Sequence, residues 1–182
     1  MRALLLLALA AAVAPTTAAA APQDAPVVSV RSVDGVYTVE ARFDIAAPPE
    51  TVREVLTDYA GIPRFMPDVR KSVVRERKGA RVVVEQEATS KVLMFSKTVH
   101  LLLEVYERVD SLTFRDTCRE SFALYAGAWT FLPDRAGTAV TYTLTAKPAF
   151  SVPPFIIKRL LDSNARDTID AIRAESALRD AR

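Results

Sequence analysis

An α+β domain, an antiparallel sheet of many short strands closed by one long helix at the C-terminal end, is the fold class this sequence predicts. Three observations carry it. Apolar and polar side chains alternate in successive runs between residues 27 and 146, turn dipeptides such as Asp34-Gly35 separate those runs, and the period changes to that of a helix over residues 153 to about 177. On that helix Ile157, Leu160, Leu161, Ala165, Ala171 and Ile172 share one stripe, with Asn164 and Thr168 in its middle. A buried amide and hydroxyl cost free energy unless they find partners. Either a cavity lies between helix and sheet, or both groups bond to nearby backbone.

The opening residues read as an address. Arg2 is a short basic start, residues 3–13 are an apolar run too short to span a bilayer, and Ala18-Ala19-Ala20 is a small-residue cleavage site. The expected cut follows Ala20, since cutting after Ala21 would set Pro22 beyond the scissile bond. This predicts a signal peptide at 1–20 and a single domain at 21–182, periplasmic or secreted. Cys118, the one cysteine, has no internal partner, so the core must hold the fold in an oxidising compartment. It falls on an apolar strand face and reads as a small core residue.

The elements then follow in order. Val27–Val33 and Val36–Ile45 flank Asp34-Gly35, a hairpin signal, and Tyr37, Val39, Ala41, Phe43 and Ile45 share the buried face of the second strand. Pro48-Pro49 opens a short helix with Val52, Val55, Leu56 and Tyr59 on one side; Gly61 and Pro63 end it, and another turn or short helix runs over 63–68. Strands are expected near 69–77, 81–88, 93–106, 112–118, 123–132 and 138–146.

Without Arg2 the chain carries 23 basic and 22 acidic residues, a net charge of +1. Opposite charges are interleaved, as in Arg75-Glu76-Arg77-Lys78, which argues against a nucleic-acid partner.

Strand parity indicates what the sheet's inner face carries. A tight hairpin at Asp134-Arg135-Ala136-Gly137 sets Phe131 opposite Val140, Trp129 opposite Tyr142, Gly127 opposite Leu144 and Tyr125 opposite Ala146. A glycine among three aromatics marks either a bulge or a close approach, by a ligand for instance. Leu93, Phe95, Val99, Leu101, Leu103 and Val105 share a face with Leu112, Phe114 and Cys118, but so do Lys97, Asp116 and Glu120. A tight turn at Arg108-Val109 would pair Lys97 with Glu120; a bulge that turns part of the strand outward is the alternative.

The segments LTDYAGIPRFMPDV, YAGAWTFLPDRAGTAVTYTLTAKPAF and VPPFIIKRLL, in that order, resemble the START-like (SRPBCC) superfamily, and within it the polyketide cyclase/dehydrase and coenzyme Q-binding branch. The shared elements are a D-Y dipeptide after the first helix, G-x-W-x-F in a late strand and then G-T-x-V-x-Y, within a resemblance spanning about residues 36–175. The resemblance implies the helix-grip fold, a curved antiparallel sheet wrapped around the long C-terminal helix with two short helices after an early strand. It also implies an elongated apolar cavity between helix and sheet.

The chain is poor in reactive groups. His100, the sole histidine, shares a mixed strand face with Met94, Ser96, Thr98 and Glu104 and reads as exposed or structurally bonded. One Cys and one His make neither a zinc set nor a nucleophile pair, and no G-x-S-x-G is present. No metal, cofactor or catalytic residue is assigned. Tyr125 and Tyr142 with Asp116 would be the set to orient an enolising polyketide, but tyrosines also line passive apolar cavities.

The reading is an exported carrier or binding protein for a hydrophobic small molecule or lipid, such as an isoprenoid quinone. Its expected lining is Leu101, Leu103, Phe114, Gly127, Trp129, Phe131, Tyr142, Leu144, Ile157 and Leu161, with Tyr125, Asn164 and Thr168 as polar contacts. The mouth is placed at residues 62–66 and 151–156, where Phe65 beside Arg64 and Phe155 beside Lys158 and Arg159 suit transient membrane contact; ordinary loop packing is the alternative. Two other readings stay open: a cyclase/dehydrase-type enzyme on the same scaffold, and an interaction module without a cavity.

Overall fold

The computed structural model describes residues 24–66, 68–92 and 95–182. The expected leader at residues 1–20, Leu93 and Met94, and the side chains of residues 90–97, Phe95, Ser96 and Lys97 among them, lie outside that description.

Eight strands form one antiparallel sheet: β1 (Val27–Val33), β2 (Val36–Ile45), β3 (Val69–Lys78), β4 (Arg81–Val92), β5 (Phe95–Glu107), β6 (Ser111–Asp116), β7 (Phe122–Asp134) and β8 (Gly137–Pro148). Their spatial order is β1-β2-β8-β7-β6-β5-β4-β3. Between β2 and β3 the chain leaves the sheet through α1 (Pro49–Thr57), a 3-10 turn (Tyr59–Gly61) and α2 (Ile62–Phe65), and it ends in α3 (Pro154–Asp180). This is the α+β helix-grip architecture.

Local chemistry accounts for the boundaries. Asp34 and Gly35 both have positive φ, 51° and 76°, the backbone that a two-residue hairpin turn needs to match the twist of its strands. Pro49 begins α1, where a missing N–H costs nothing, and Val52 and Val55 bury its inner side. In α3 the buried stripe is Ile156, Ile157, Leu161, Ala165, Ile169, Ile172 and Ser176, the helical period read from the sequence.

The β7–β8 register is the expected one, with Phe131 on Val140, Trp129 on Tyr142, Gly127 on Leu144 and Tyr125 on Ala146. The β5–β6 register differs. The turn falls on Val109-Asp110, with Arg108 N–H donating to the Ser111 carbonyl at 2.8 Å, and it is Leu103, not Leu101, that stands opposite Asp116. A shift of two in the pairing leaves every side chain on its expected face.

Strand β6 stops at Asp116, which corrects the expected continuation to residue 118. The Asp116 carboxylate accepts from the backbone N–H groups of Leu102 at 2.9 Å and Arg119 at 2.9 Å, and more weakly from Cys118 at 3.3 Å, turning the chain out of the sheet. Cys118 is therefore a half-buried loop residue and not a core one, with Sγ 3.2 Å from Asp116 Oδ1. Burial first, and the Asp116 hydrogen bond with it, push its thiol pKa up, which makes it a poor nucleophile. Glu120 lies exposed in the same loop and needs no buried counter-charge.

Charged side chains fix the far half of α3. Arg179 bonds Asp58 and Glu175, both at 2.8 Å, while Arg173 donates to the carbonyls of Asp44 and Asp24, both at 3.0 Å. The near half, from Ile156 to Thr168, is left to cover the sheet's open face.

Candidate functional site

A cavity of about 760 Å³ lies between that near half of α3, the inner face of the sheet and the α1–α2 corner. Small domains fill such spaces to crystal-like density, so a void of this size within a core is a feature to be explained. Its wall combines the β5–β8 residues Leu101, Leu103, Phe114, Tyr125, Trp129, Tyr142 and Leu144 with Ile157, Leu161, Asn164 and Thr168 of α3.

Two residues expected there lie elsewhere. Phe131 is 1 % exposed, belongs to the packed core and does not line the cavity. Gly127 is regularly paired on both sides, so it is neither a bulge nor a ligand's point of approach. A Cβ at Gly127 would run into the Thr143 carbonyl oxygen and come within 2.6 Å of Phe114 Cζ. The close approach that this glycine permits is made by the Phe114 ring.

The α1–α2 corner and β4 supply wall residues that strand parity around Trp129 did not reach, among them Val55, Leu56, Tyr59, Val84, Gln86 and Thr89. The signal for the first three was in the sequence, where Val52, Val55, Leu56 and Tyr59 fall on one side of the helical pattern; Tyr59 lies just past the end of α1, in the 3-10 turn. The D-Y dipeptide builds this corner. Asp58 accepts from Gly61 N–H at 3.1 Å and from Arg64 at 2.7 Å, and the Tyr59 hydroxyl donates to Glu107 at 2.9 Å. Burial, then that carboxylate, raises the Tyr59 pKa. In the later G-T-x-V-x-Y segment, the buried Thr138 hydroxyl donates to the Ala47 carbonyl at 2.7 Å and fastens β8 to the start of the corner.

The expected mouth segments do reach the cavity, through Ile62, Phe65 and Met66 on one side and Ser151, Val152 and Ile156 on the other. Lining residues that are also exposed, Asp68, Ser151, Asp167 and Asp170, mark where it meets solvent.

Inside, the rings hold one another in place. Trp129 stacks on Tyr142, Phe122 tilts against Tyr125 with centroids 4.9 Å apart, and Phe114 meets Tyr125 at 5.9 Å. Burial, then the Asp116 charge, pushes the Tyr125 phenol up to about 12, and burial, then Tyr125, pushes Tyr142 well above its ordinary value. Both are neutral hydroxyls at any physiological pH. Thr89 is buried and its hydroxyl has no hydrogen-bond partner.

His100 and Asp116 are absent from the cavity wall. His100 is exposed on the outer face of β5 with Nδ1 4.0 Å from Glu87, and Asp116 is occupied by its backbone donors. Among the described residues no group of three or more His, Cys, Asp or Glu is placed to hold a metal ion. The wall can enclose and orient an apolar molecule by shape and by hydroxyl contacts.

Residues 37–177 match the family described as polyketide cyclase/dehydrase and lipid transport. Among solved structures, TTHA0849 from Thermus thermophilus is 28 % identical with a TM-score of 0.67, over 78 % of this chain and 97 % of that one. The Zhui aromatase/cyclase from Streptomyces sp. R1128 is 18 % identical with a TM-score of 0.68, over 79 % and 95 %. A STAR-related lipid transfer protein from Xanthomonas axonopodis is 18 % identical with a TM-score of 0.64, over 82 % and 98 %. No curated protein matches the chain in sequence.

Proposed function

The chain belongs to the polyketide cyclase/dehydrase and lipid transport family, and from that premise we propose that it is an exported carrier of a hydrophobic small molecule or lipid, held between the sheet and α3. The observation that carries this reading is the cavity itself, a large space with a mainly apolar wall whose described polar groups are hydroxyls and amides inside and the carboxylates of Asp68, Asp167 and Asp170 at the opening. Apolar surface supplies affinity in such a site, and isolated polar groups orient the ligand. The cyclase/dehydrase alternative would need an acid–base group inside the wall; among the described residues the enclosed titratable groups are tyrosines, and burial holds Tyr125 and Tyr142 in their neutral form.

Loading takes place at a membrane in this reading. Phe155, 70 % exposed on the first turn of α3, stands beside the exposed Lys158 and Arg159 and next to the wall residues Ile156 and Ile157. An aromatic with flanking cations suits an interfacial contact. Export rests on residues 1–20, and N-terminal sequencing of protein from its native host checks it: the mature chain begins at or within a few residues of Ala21.

The experiment that decides the carrier reading is mass spectrometry of organic extracts from gently purified native protein. A hydrophobic molecule recovered in a fixed ratio to protein supports it. Protein that neither copurifies with one nor takes one up from vesicles sinks it.

A further inference from the structure

The α1–α2 corner closes the cavity with little of its own to hold it there. Its last element, α2, is a single turn of four residues, none of them buried, and a helix so short has no stability by itself. Yet Ile62, Phe65 and Met66 of this turn and its cap line the cavity, close in sequence to Asp68, one of the exposed residues that mark the opening. The turn packs on both β3 and α3. An element with few buried contacts is where a fold opens locally first.

Two adjacent residues hold this corner. Tyr59, which is buried, roots it on the sheet: its hydroxyl donates to Glu107, and Arg77 holds the other oxygen of that carboxylate at 3.0 Å. Asp58 clasps it to α3. One carboxylate oxygen, Oδ2, accepts from Arg64 of α2 at 2.7 Å and from Arg179 of α3 at 2.8 Å, so a single side chain joins α2 to the pinned half of the helix. Gly61 is shaped to this clasp. Its φ of −86° suits any residue, but a Cβ there would run into Asp58 Oδ2 and Arg64 Nη2. Unlike the Tyr59 root, the clasp faces an open cleft lined by Glu54, Asp58, Arg64, Glu175, Arg179 and Arg182, and the Arg64 side chain is 71 % exposed. Ion pairs in such a place are weak and sensitive to salt.

We infer that residues 61–66 are the gate of the cavity and that the Arg64–Asp58–Arg179 clasp holds it shut: the ligand enters and leaves when the clasp parts and α2 swings away from α3, while Tyr59 stays rooted. This inference rests on the carrier reading and adds to it how the cavity opens. Asp58, Gly61, Arg64 and Arg179 are all absent from the cavity wall. Weakening the clasp therefore lowers the barrier to entry and exit alike and leaves the bound state as it was.

Stopped-flow binding and release of a pyrene-labelled long-chain alcohol by the whole protein tests the gate. Asp58→Asn keeps an oxygen for the Gly61 N–H and drops the charge, whereas Gly61→Ala displaces the clasp and removes no charge. In both, the association and dissociation rates are expected to rise together by about three- to tenfold, the worth of the two ion pairs on Asp58, with Kd within about twofold of the parent's. Arg64→Gln, at an exposed position that the fold does not depend on, is expected to raise both rates about twofold, and it carries the test if the other variants unfold. Raising the salt from about 50 to 500 mM should quicken exchange in the parent and not in Asp58→Asn. Folded variants that exchange at the parent's rates, or in which release alone quickens and Kd rises with it, overturn the gate; the carrier reading then stands, because the probe still binds. If the parent binds no probe, the carrier reading falls and the gate with it.

Discussion

Trp129 on β7 lies stacked on Tyr142 of β8, ring centroids 4.1 Å apart and planes 24° from parallel, and both rings form part of the cavity wall. They are directly opposite each other in the strand pairing, so the contact is set by the register. Because Trp129 is the chain's one tryptophan, its emission reports on this wall alone. Stripping bound lipid should move that emission to the red as water replaces apolar contacts, and adding a hydrophobic ligand should reverse it. An emission spectrum indifferent to delipidation would place the ligand elsewhere.

Gly127 is expected to tolerate no side chain. Its missing Cβ is the space taken by the Thr143 carbonyl and the Phe114 ring, and a backbone oxygen cannot move aside as a side chain can. Gly127→Ala should cost about 1–3 kcal/mol, the range for overfilled cores, and Gly127→Leu no less. Thermal melts of the two variants decide it: an alanine variant as stable as the parent contradicts this account of the strand.

Stability should fall at acid pH through Glu104. Arg81 Nε donates to it at 2.5 Å and Arg115 bonds its other oxygen. The Arg81 hydrogen bond first, and the Arg115 one next, hold its carboxyl below the usual range. A folded-state value below the unfolded one gives stabilisation that is complete above the unfolded value and is lost as pH falls through the folded value. The melting temperature should therefore drop below about pH 4, where unfolded glutamates begin to protonate. Glu104→Gln should flatten that limb in part, since Glu76 and Glu85 are held low in the same way. An identical acid limb in the variant would assign the effect to other groups.

Phe155→Ser is expected to slow ligand transfer between vesicles carrying anionic lipid while leaving the melting temperature within a few degrees, because the ring is 70 % exposed and stabilises little in the folded chain. Transfer rates equal to the parent's would remove Phe155 from the membrane contact.

His100→Ala should change stability by no more than about 0.5 kcal/mol, as surface substitutions do, and leave lipid binding within a few-fold. The imidazole is exposed, stands 4.0 Å from Glu87 and is absent from the cavity wall. Abolition of binding or of any activity in a variant that still folds would reopen the enzymatic alternative.

By itself the sequence determined the elements and their faces. Alternation along β2 and β8, the Asp34-Gly35 and Asp134 to Gly137 turns, and the stripe on α3 are local signals. Period and turn chemistry therefore place Trp129, Tyr142, Leu144 and Leu161 on inner surfaces before any packing is known. What fills the space between those surfaces depends on distances between elements far apart in the chain, and only the tertiary structure decided it. Trp129 and Phe131 have the same parity on β7, yet Trp129 lines the cavity while Phe131 is buried in the packed core and does not. Gly127 could be a bulge, a ligand contact or a seat for a ring, and the Phe114 rotamer settled which. Asp116 and Cys118 continue the alternation of β6 in sequence, but three backbone N–H groups gathered by one carboxylate end the strand there. Faces follow from the two-residue period of the backbone; voids, strand ends and close contacts follow from where the rest of the chain comes to lie.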